Sequence, residues 1–492
     1  PPGSMIIPNR QAEAPLISAI MEFDADIDEE VLIEEKQSVL RDGSSIMYDT
    51  TAFNFSMVYG LEAITVPENI SSNLVSWEPS KQSIDVNNEA VMWATDGIDD
   101  NSVAFAARLM EQDIQVRIID KEATLSGYDL SRGSVIVIGM DNPNVSNLDE
   151  TVKKVASELN ISIVSLDSGF GPEELPDWGG RHFRLLKRPQ IAILSHEGFN
   201  SYDVGVSWWS IDHHLGIRHS QLNTSILSYA DLRRYNTIIV PSGWALDDNS
   251  KRLLNDWVRQ GGTLIAHNYA TRSLIGNNGI GNVKHLSDTF DKSEDYNFDL
   301  QREIYSLEDD ISKEDVLNNK IDLNINYPWE NEDKISADLK KRDKWQSILM
   351  PSGAMVAGRT DHEHWLTFGT IDVLPVLYGN YPILMTSDNA QAAVRIGELV
   401  DDPSKENARA INWSTIPAGK DINVRMSGLV WPEASQRIAN SAYLTREKVG
   451  KGQIILFSGE PNYRGSALGT NRLWLNALIY GTGLGSNSEI DL

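Results

Sequence analysis

Between residues 88 and 275, short buried-type strands alternate with amphipathic helical segments, and this alternation constrains the fold more than any other feature. Apolar strand-like runs occupy residues 90–94, 114–119 and 134–139, while residues 103–110 and 148–159 carry apolar residues at helical spacing. Strands that alternate with helices predict βαβ units and a parallel sheet covered on both faces. We therefore predict a first α/β domain over residues 88–187.

A second α/β unit begins near Pro189 and extends the pattern. Strands are predicted at residues 190–195, 237–240 and 263–266, with a helix at 250–259 that ends at the Gly261-Gly262 stop signal. We assign residues 188–492 to this second domain, which includes an irregular acidic insertion at about 277–345, additional C-terminal strands and a closing amphipathic helix at 470–480. The predicted fold class is α/β, with tandem parallel sheets.

The N-terminal part is expected to differ from both α/β units. Short apolar runs at residues 31–33 and 63–66 are separated by Gly, Asn and Pro, which is typical of strands joined by turns. We predict a β-rich segment over residues 6–87. Residues 1–5, Pro-Pro-Gly-Ser-Met, are typical of a tag scar followed by an added start and are expected to lie outside the natural sequence.

Charge and composition exclude several classes of function. Seventy acidic residues against 43 basic ones give a formal charge of -27, which would repel nucleic acid and anionic membranes. The chain has no cysteine, so disulfides, thiolate metal sites and a cysteine nucleophile are excluded. No apolar run reaches the roughly 18 residues that a membrane span needs. We therefore expect neither nucleic acid nor membrane as a partner.

Several segments together resemble the region that follows the catalytic domain in large bacterial zinc carboxypeptidases. They are Tyr48-Asp49-Thr50-Thr51-Ala52-Phe53 with residues 59–63, residues 132–134, residues 351–367, and residues 450–457 with 461–465 and 475–477. The resemblance implies a non-catalytic accessory region of a secreted or periplasmic zinc carboxypeptidase. The partners that it implies are the chain's own catalytic domain and peptide substrate, with zinc held by that domain and no cofactor on this chain.

Residues 190–275 also resemble class I glutamine amidotransferase-like domains, which implies a flavodoxin-like sheet. Active members carry a cysteine nucleophile after the strand that corresponds to residues 263–266, where this chain has His267-Asn268-Tyr269. Neither an imidazole nor an amide replaces a thiolate as the acylated group. The resemblance therefore implies the fold and not amidotransfer.

Polar side chains follow three predicted strands of the second unit, and the carboxyl ends of parallel strands meet in one crevice. The candidate pocket residues are His196, Glu197, Ser242, Trp244, His267 and Asn268. The alternative is that these groups cap helices and satisfy loop backbone. Ser242 lacks the Gly-x-Ser-x-Gly pattern of a nucleophile elbow, so we assign no catalytic residue.

The sequence lacks the ligand pattern of a zinc carboxypeptidase. Zinc carboxypeptidases use a His-x-x-Glu pair and a distant His, and none of the nine histidines has Glu three positions later. His362 and His364 are weak candidates, because alternate strand residues share a face. The alternative there is a turn capped by Asp361 with exposed imidazoles.

Three functions stay open at this point. The first is the accessory region of an exopeptidase. The second is a stand-alone ligand-binding module with a degenerate amidotransferase-like pocket. The third is an independent hydrolase whose site the sequence does not reveal, supported only by the serines and histidines present.

Overall fold

A computed structural model describes residues 4–24, 26–67, 75–76, 90–172, 176–243, 246–276, 279–307, 332–387 and 389–486. The fold is mixed α/β with several sheets. Across these residues no helix combines the length and the apolar character that crossing a bilayer requires.

The N-terminal part is helical. Its elements are α1 (Ala14–Met21), α2 (Glu29–Asp42) and α3 (Phe55–Val58). The prediction of a β-rich segment over residues 6–87 is wrong for the described residues, which contain no strand before residue 92. Residues 31–33 lie inside α2, where the Asp28 carboxylate caps the Glu30 N–H and Gly43, at φ 68°, ends the helix. These end signals outweigh the β propensity of a short apolar run.

The first α/β unit contains a five-stranded sheet, a hairpin and two helices. In chain order the elements are β1 (Met92–Thr95), α4 (Asn101–Glu111), β2 (Val116–Ile119), β3 (Ala123–Leu125), β4 (Tyr128–Leu130), β5 (Val135–Ile138), α5 (Leu148–Leu159), β6 (Val164–Leu166) and β7 (Phe183–Leu185). The sheet order is β6-β1-β5-β2-β7, and β3 pairs with β4 separately.

Every pairing in this first sheet is antiparallel, so the prediction of a parallel sheet is wrong here. The chain passes from β2 to β5 through the β3–β4 hairpin and not through a helix. A parallel neighbour would need a long crossover, and without one β5 runs back between β1 and β2. The two helical crossovers interleave in opposite directions, which is the split βαβ arrangement.

The second unit follows immediately and continues to the end of the described chain. Its first elements are β8 (Ile191–Ser195), α6 (Ser201–Trp209), β9 (His219–Asn223), β10 (Thr237–Val240), α7 (Asp248–Arg259), β11 (Thr263–His267), α8 (Ala270–Leu274), β12 (Lys284–His285), α9 (Ser293–Ser306) and α10 (Glu332–Gln346). A π-helical turn, Ser210–Leu215, extends α6.

Its remaining elements are mostly strands, which confirms the expected C-terminal strands. They are β13 (Ala354–Thr360), β14 (Val373–Tyr378), β15 (Leu384–Met385), β16 (Ala390–Ile396), β17 (Glu398–Asp401), β18 (Arg409–Ile411), β19 (Ser414–Ile416), β20 (Lys420–Asn423), β21 (Arg425–Ser427), α11 (Pro432–Ile438), β22 (Ala442–Val449), β23 (Gly452–Phe457) and α12 (Asn471–Ile479).

The large sheet joins a parallel half to an antiparallel half. Strands β9, β8, β10, β11 and β23 are parallel neighbours in that order. Beyond β23, strands β22, β16, β13 and β14 continue the sheet with antiparallel pairings. Counted along the chain, the parallel half therefore has the order 2-1-3-4-5.

The predicted irregular insertion at about 277–345 is largely helical where it is described. In α9 the buried residues Ser293, Tyr296, Asn297 and Leu300 follow a helical period. The exposed Phe298 lies off this buried face, which obscures the period in the sequence. The helix is fixed to the sheet because Glu303 accepts two bonds from the Arg395 guanidinium, at 2.6 and 2.7 Å.

The predicted closing helix is present as α12. It was expected to be amphipathic, with one face toward solvent, but the structure buries it on every side. All nine of its residues are buried between the two units. Arg472, 3% exposed, donates to the carbonyl oxygens of Gly97 and Asp99 at 2.6 and 2.9 Å. A charged side chain of α12 thus joins the first unit to the second.

Candidate functional site

The strand order fixes where a ligand could bind. In an open parallel sheet the crevice lies at the carboxyl ends of strands where the chain order reverses, here between β8 and β10. A cleft of about 430 Å³ lies at this point. It is lined by Gly198, Phe199, Asn200, Ser242, Gly243 and Tyr269, which follow β8, β10 and β11.

Backbone strain accompanies the cleft. His196, directly after β8, has φ 76°, and Asn268, directly after β11, has φ 54°. A positive φ is costly for residues other than glycine, most of all for a bulky one, and such residues cluster at binding and active sites. Both strained residues stand at strand ends that border the cleft.

Ser242 forms part of the cleft wall and is 4% exposed. Its Oγ accepts the Tyr269 backbone N–H at 3.1 Å, and its carbonyl accepts the Asn200 N–H at 2.7 Å. The Tyr269 hydroxyl donates to the Asn380 carbonyl at 2.8 Å, which ties this wall to the loop after β14. A serine hydroxyl that accepts one bond can still donate one, so Ser242 can contact a ligand.

The structure separates the other predicted pocket residues. His196 and Glu197 are exposed, and the His196 Nδ1 lies 2.7 Å from the Ser195 Oγ. His267 is buried behind the cleft, and Asn268 is half-buried with an unpaired Oδ1. Trp244 lies outside the described residues. Of the five candidates that the structure describes, Ser242 alone lines the cleft.

His267 faces a carboxylate from the helix that follows β8. Its Nδ1 lies 3.7 Å from the Asp203 Oδ2, which is too long for a hydrogen bond, and neither atom has another partner in the described chain. The side chains are 2% and 6% exposed. Burial lowers the pKa of His267, and the charge of Asp203 opposes this shift. The Trp474 ring meets the imidazole edge-on at 5.6 Å.

A second buried carboxyl group belongs to the same region. Glu460 follows β23, is 7% exposed and has an unpaired Oε1. Burial raises its pKa to about 8, the charge of Asp203 adds to the rise, and the Arg464 backbone and charge oppose it. Burial also raises the pKa of Tyr381 well above its usual value, with Glu460 the next cause. The two carboxyl groups therefore act on one another inside the protein.

Sequence reasoning missed Asp203, Glu460 and the surrounding aromatic rings. The rule that located Ser242, polar residues just after parallel strands, would also have found Glu460. Nothing in the local sequence, however, shows that β23, almost 200 residues after β11, becomes the fifth parallel strand. Asp203 carried a weaker signal as an acidic residue in the first turn of a helix.

The structure places His362 and His364 in a turn and not on one strand face. His362 is exposed, while His364 is buried and its Nδ1 accepts the Leu366 N–H at 3.1 Å. The Asp361 carboxylate accepts the Glu363 N–H at 3.0 Å, which caps the turn. Burial lowers the pKa of His364 to about 4. The two imidazoles thus do not point toward a common ion.

Nowhere in the described ranges do three histidine or carboxylate side chains group as metal ligands would. Asp203, His267 and Glu460 bring several hydrogen-bond acceptors into one buried region. Seven residues around it supply buried atoms that lack a hydrogen-bond partner: Asp203, His267, Asn268, Tyr443, Glu460, Asn471 and Trp474. Buried unpaired atoms of this kind mark a place where water or a ligand is bound.

Comparison with known proteins adds little to this geometry. No family model and no curated protein matches the chain. Among solved structures, a β-galactosidase from Bacillus circulans sp. alkalophilus aligns at TM-score 0.28 and 11% identity, over 61% of this chain and 31% of its own. A putative ThuA-like protein from Bacteroides uniformis aligns at TM-score 0.28 and 10% identity, over 59% and 89%.

A cytoplasmic protein from Salmonella typhimurium aligns at TM-score 0.27 and 10% identity, over 59% of this chain and 97% of its own. This chain spans about a third of the β-galactosidase. TM-scores below 0.3 do not establish a shared fold, so the site is interpreted from its own residues.

Proposed function

We propose that this chain is a non-catalytic, ligand-binding accessory region of a secreted or periplasmic hydrolase of the zinc carboxypeptidase type. The observation that carries the binding role is the cleft between the ends of β8 and β10. The family assignment rests on the sequence segments that resemble those enzymes. The ligand we propose is a peptide or free amino acid, which is what such an enzyme handles.

The flavodoxin-like order of the parallel strands supports a binding role. The order 2-1-3-4-5 belongs to sheets that bind small molecules at the switch between the first and third strands. Loop backbone from both sides meets there, since Phe199 and Gly243 form an isolated antiparallel bridge. A Cβ on Gly243 would lie 2.3 Å from the Gly198 carbonyl oxygen, so this approach requires glycine.

The turn after β11 supports binding over covalent catalysis. Asn268, at φ 54°, occupies a sharp strand-to-helix turn between β11 and α8. A nucleophile elbow places a serine or cysteine in such a turn. An amide at this point can hydrogen-bond a ligand, but it cannot form an acyl intermediate. We therefore infer a degenerate amidotransferase-like pocket that retains binding.

The binding role is tested by calorimetry with short peptides that have free termini. We expect one peptide per chain, and Tyr269→Ala should weaken binding about tenfold because it removes one wall of the cleft. Tyr229→Ala, which truncates a tyrosine that is 88% exposed and does not line the cleft, is the matched control. Binding that is absent, or equally weak in both variants, would refute the role of the cleft.

The accessory role requires a catalytic domain elsewhere in the natural polypeptide. The natural polypeptide must also carry a domain with a His-x-x-Glu pair and a distant histidine, because those ligands hold the zinc. A natural protein without such a domain would refute the carboxypeptidase assignment and leave the ligand-binding role intact.

A further inference from the structure

Behind the cleft, three buried titratable side chains converge from three separate parts of the chain. Asp203 comes from α6, His267 from the end of β11 and Glu460 from the loop after β23. Each is at least nine-tenths buried, and each keeps a polar atom without a hydrogen-bond partner in the described chain. Unpaired polar atoms in a protein interior are costly, so three of them in one region offer hydrogen-bonding sites to a ligand.

The three unpaired atoms are acceptors or can act as acceptors. They are the Asp203 Oδ2, the Glu460 Oε1 and the His267 Nδ1. An ionised carboxylate only accepts, a protonated carboxyl group still accepts at its other oxygen, and a neutral imidazole accepts at one nitrogen. Burial favours the neutral form of His267 by lowering its pKa. The missing partner is therefore a donor, and several donors on one group would serve best.

No protein cation takes this position. Within the described residues, no lysine or arginine nitrogen lies within 4.0 Å of the Asp203 or Glu460 carboxylate. The nearest candidate, Arg464, donates instead to Asp49 at 2.8 Å, and its side chain is 55% exposed. The Arg464 guanidinium also lies 4.8 Å from the Tyr463 ring centroid. The closest positive charge thus points away from the acceptors.

Aromatic rings surround the acceptors. Trp474 contacts His267 edge-on, and Tyr381 packs so closely on Gly459 that a Cβ there would lie 2.7 Å from the ring. The Glu460 charge contributes to the raised pKa values of Tyr443 and Tyr463. Aromatic faces attract cations, and the attraction grows when the cation is desolvated. Carboxyl groups together with aromatic rings favour a positively charged donor.

We infer that Asp203, His267 and Glu460 form a chamber that binds the ammonium group of a ligand held in the adjoining cleft. An ammonium group has three N–H donors and no acceptor, which matches three unpaired acceptors. The identity of the ligand rests on the proposed binding function, whereas the chamber itself can be tested alone. His267 of the chamber and Tyr269 of the cleft wall lie two residues apart at the end of β11, which places the two sites next to each other.

Binding a cation should release a proton. With the chamber empty, Glu460 is mostly protonated at pH 7 because its pKa is about 8. A bound ammonium favours the charged carboxylate and displaces that proton. The groups that face Glu460 are Asp203, Tyr381, Tyr443, Tyr463 and Arg464. The tyrosines stay neutral near pH 7, since each pKa is raised, so Glu460 is the expected source of the proton.

The test uses n-butylammonium as the probe and n-butanol as its neutral counterpart. We expect calorimetry to give one site for the amine and none for the alcohol. Glu460→Gln and Asp203→Asn should each weaken amine binding at least tenfold. Glu197→Gln removes an exposed carboxylate at the cleft rim and should change the affinity less than twofold. This control separates the chamber from the general attraction of a chain with charge -27 for cations.

Proton release provides the second readout. Titrations at pH 7 in phosphate and in MOPS, neither of which is a primary ammonium, should differ in binding enthalpy by the difference in the buffers' ionisation enthalpies for close to one released proton per amine, and this difference should vanish in Glu460→Gln. Circular dichroism and thermal melting verify that the variants fold. If Asp203→Asn does not fold, the isosteric Glu460→Gln still decides the question.

Several outcomes would overturn the inference. They are equal binding of amine and alcohol, unchanged affinity in Glu460→Gln, or displacement of the amine by micromolar Zn²⁺ or Ca²⁺. Peptide binding that depends on Tyr269 but not on Glu460 would refute the chamber and retain the cleft. Amine binding that depends on Glu460 without any peptide binding would retain the chamber and refute the proposed function.

Discussion

The two α/β units differ in how many of their buried side-chain polar atoms lack a hydrogen-bond partner. Across the described chain, none of the buried side-chain atoms without a hydrogen-bond partner lies between residues 90 and 186, whereas the second unit contains many. In the first unit Arg117 pairs with Asp141 at 2.6 Å, and Asn142 donates to the Gln115 and Ile138 carbonyls at 3.0 Å. The second unit leaves Asp203, His267 and Glu460 unsatisfied.

This contrast indicates a division of roles. A unit whose buried polar groups are all paired is built for stability, since each unpaired group would cost free energy of unfolding. A unit that tolerates unpaired groups at the ends of parallel strands accepts that cost where a ligand can offset it. This contrast supports the proposal that the second unit binds the ligand and the first unit is its scaffold.

The largest expected effect concerns Glu460. Its pKa is 4.5 without burial and about 8 in the folded protein. Between these values the unfolded state binds fewer protons than the folded state, so stability falls as pH rises from 4.5 to 8. The shift corresponds to a loss of about 5 kcal/mol. Glu460→Gln should abolish this loss, as measured by urea unfolding at pH 5 and pH 8.5.

Glu197→Gln, at an exposed carboxylate, should keep the wild-type pH dependence. If Glu460→Gln also keeps it, Glu460 is not an unsatisfied buried carboxyl group. The contrast between the two units would then lose its main support.

The next effect concerns the junction of the units. Arg472→Met would leave the Gly97 and Asp99 carbonyl oxygens without their buried donor, and we expect a loss of about 3–5 kcal/mol. Arg233→Met is the control, because the Arg233–Asp231 pair is exposed to solvent and its loss should leave the free energy of unfolding almost unchanged. The measurement is the free energy of unfolding in urea. Similar losses in both variants would show that the Arg472 bonds do not join the units.

Local signals predicted much of the fold, and long-range pairing decided the rest. The strands at residues 135–138, 191–195 and 237–240 could be predicted from the sequence because each is a mostly apolar run. The parallel pairing of β8 with β10 agrees with the prediction, whereas the direction of β5 does not, since a hairpin and not a helix precedes it. The candidate site shows the same limit. Ser242 follows a recognisable strand, but Glu460 joins the site only through the parallel pairing of β11 with β23.

The smallest effect compares matching helices of the two units. The Asp247 carboxylate caps α7 by accepting the Ser250 N–H at 2.7 Å, whereas Asn147, at the same position before α5, makes no side-chain cap. Asp247→Ala should therefore lower the free energy of unfolding by about 1 kcal/mol, and Asn147→Ala should leave it almost unchanged. The hydrogen bond from Ser250 lowers the pKa of Asp247, so its contribution is present above the unfolded pKa and is lost as pH falls. Urea unfolding at pH 7 and pH 3 measures both variants. Equal costs at pH 7 would mean that the cap bond does not distinguish the two helices, and both would then be held by the packing of their buried faces.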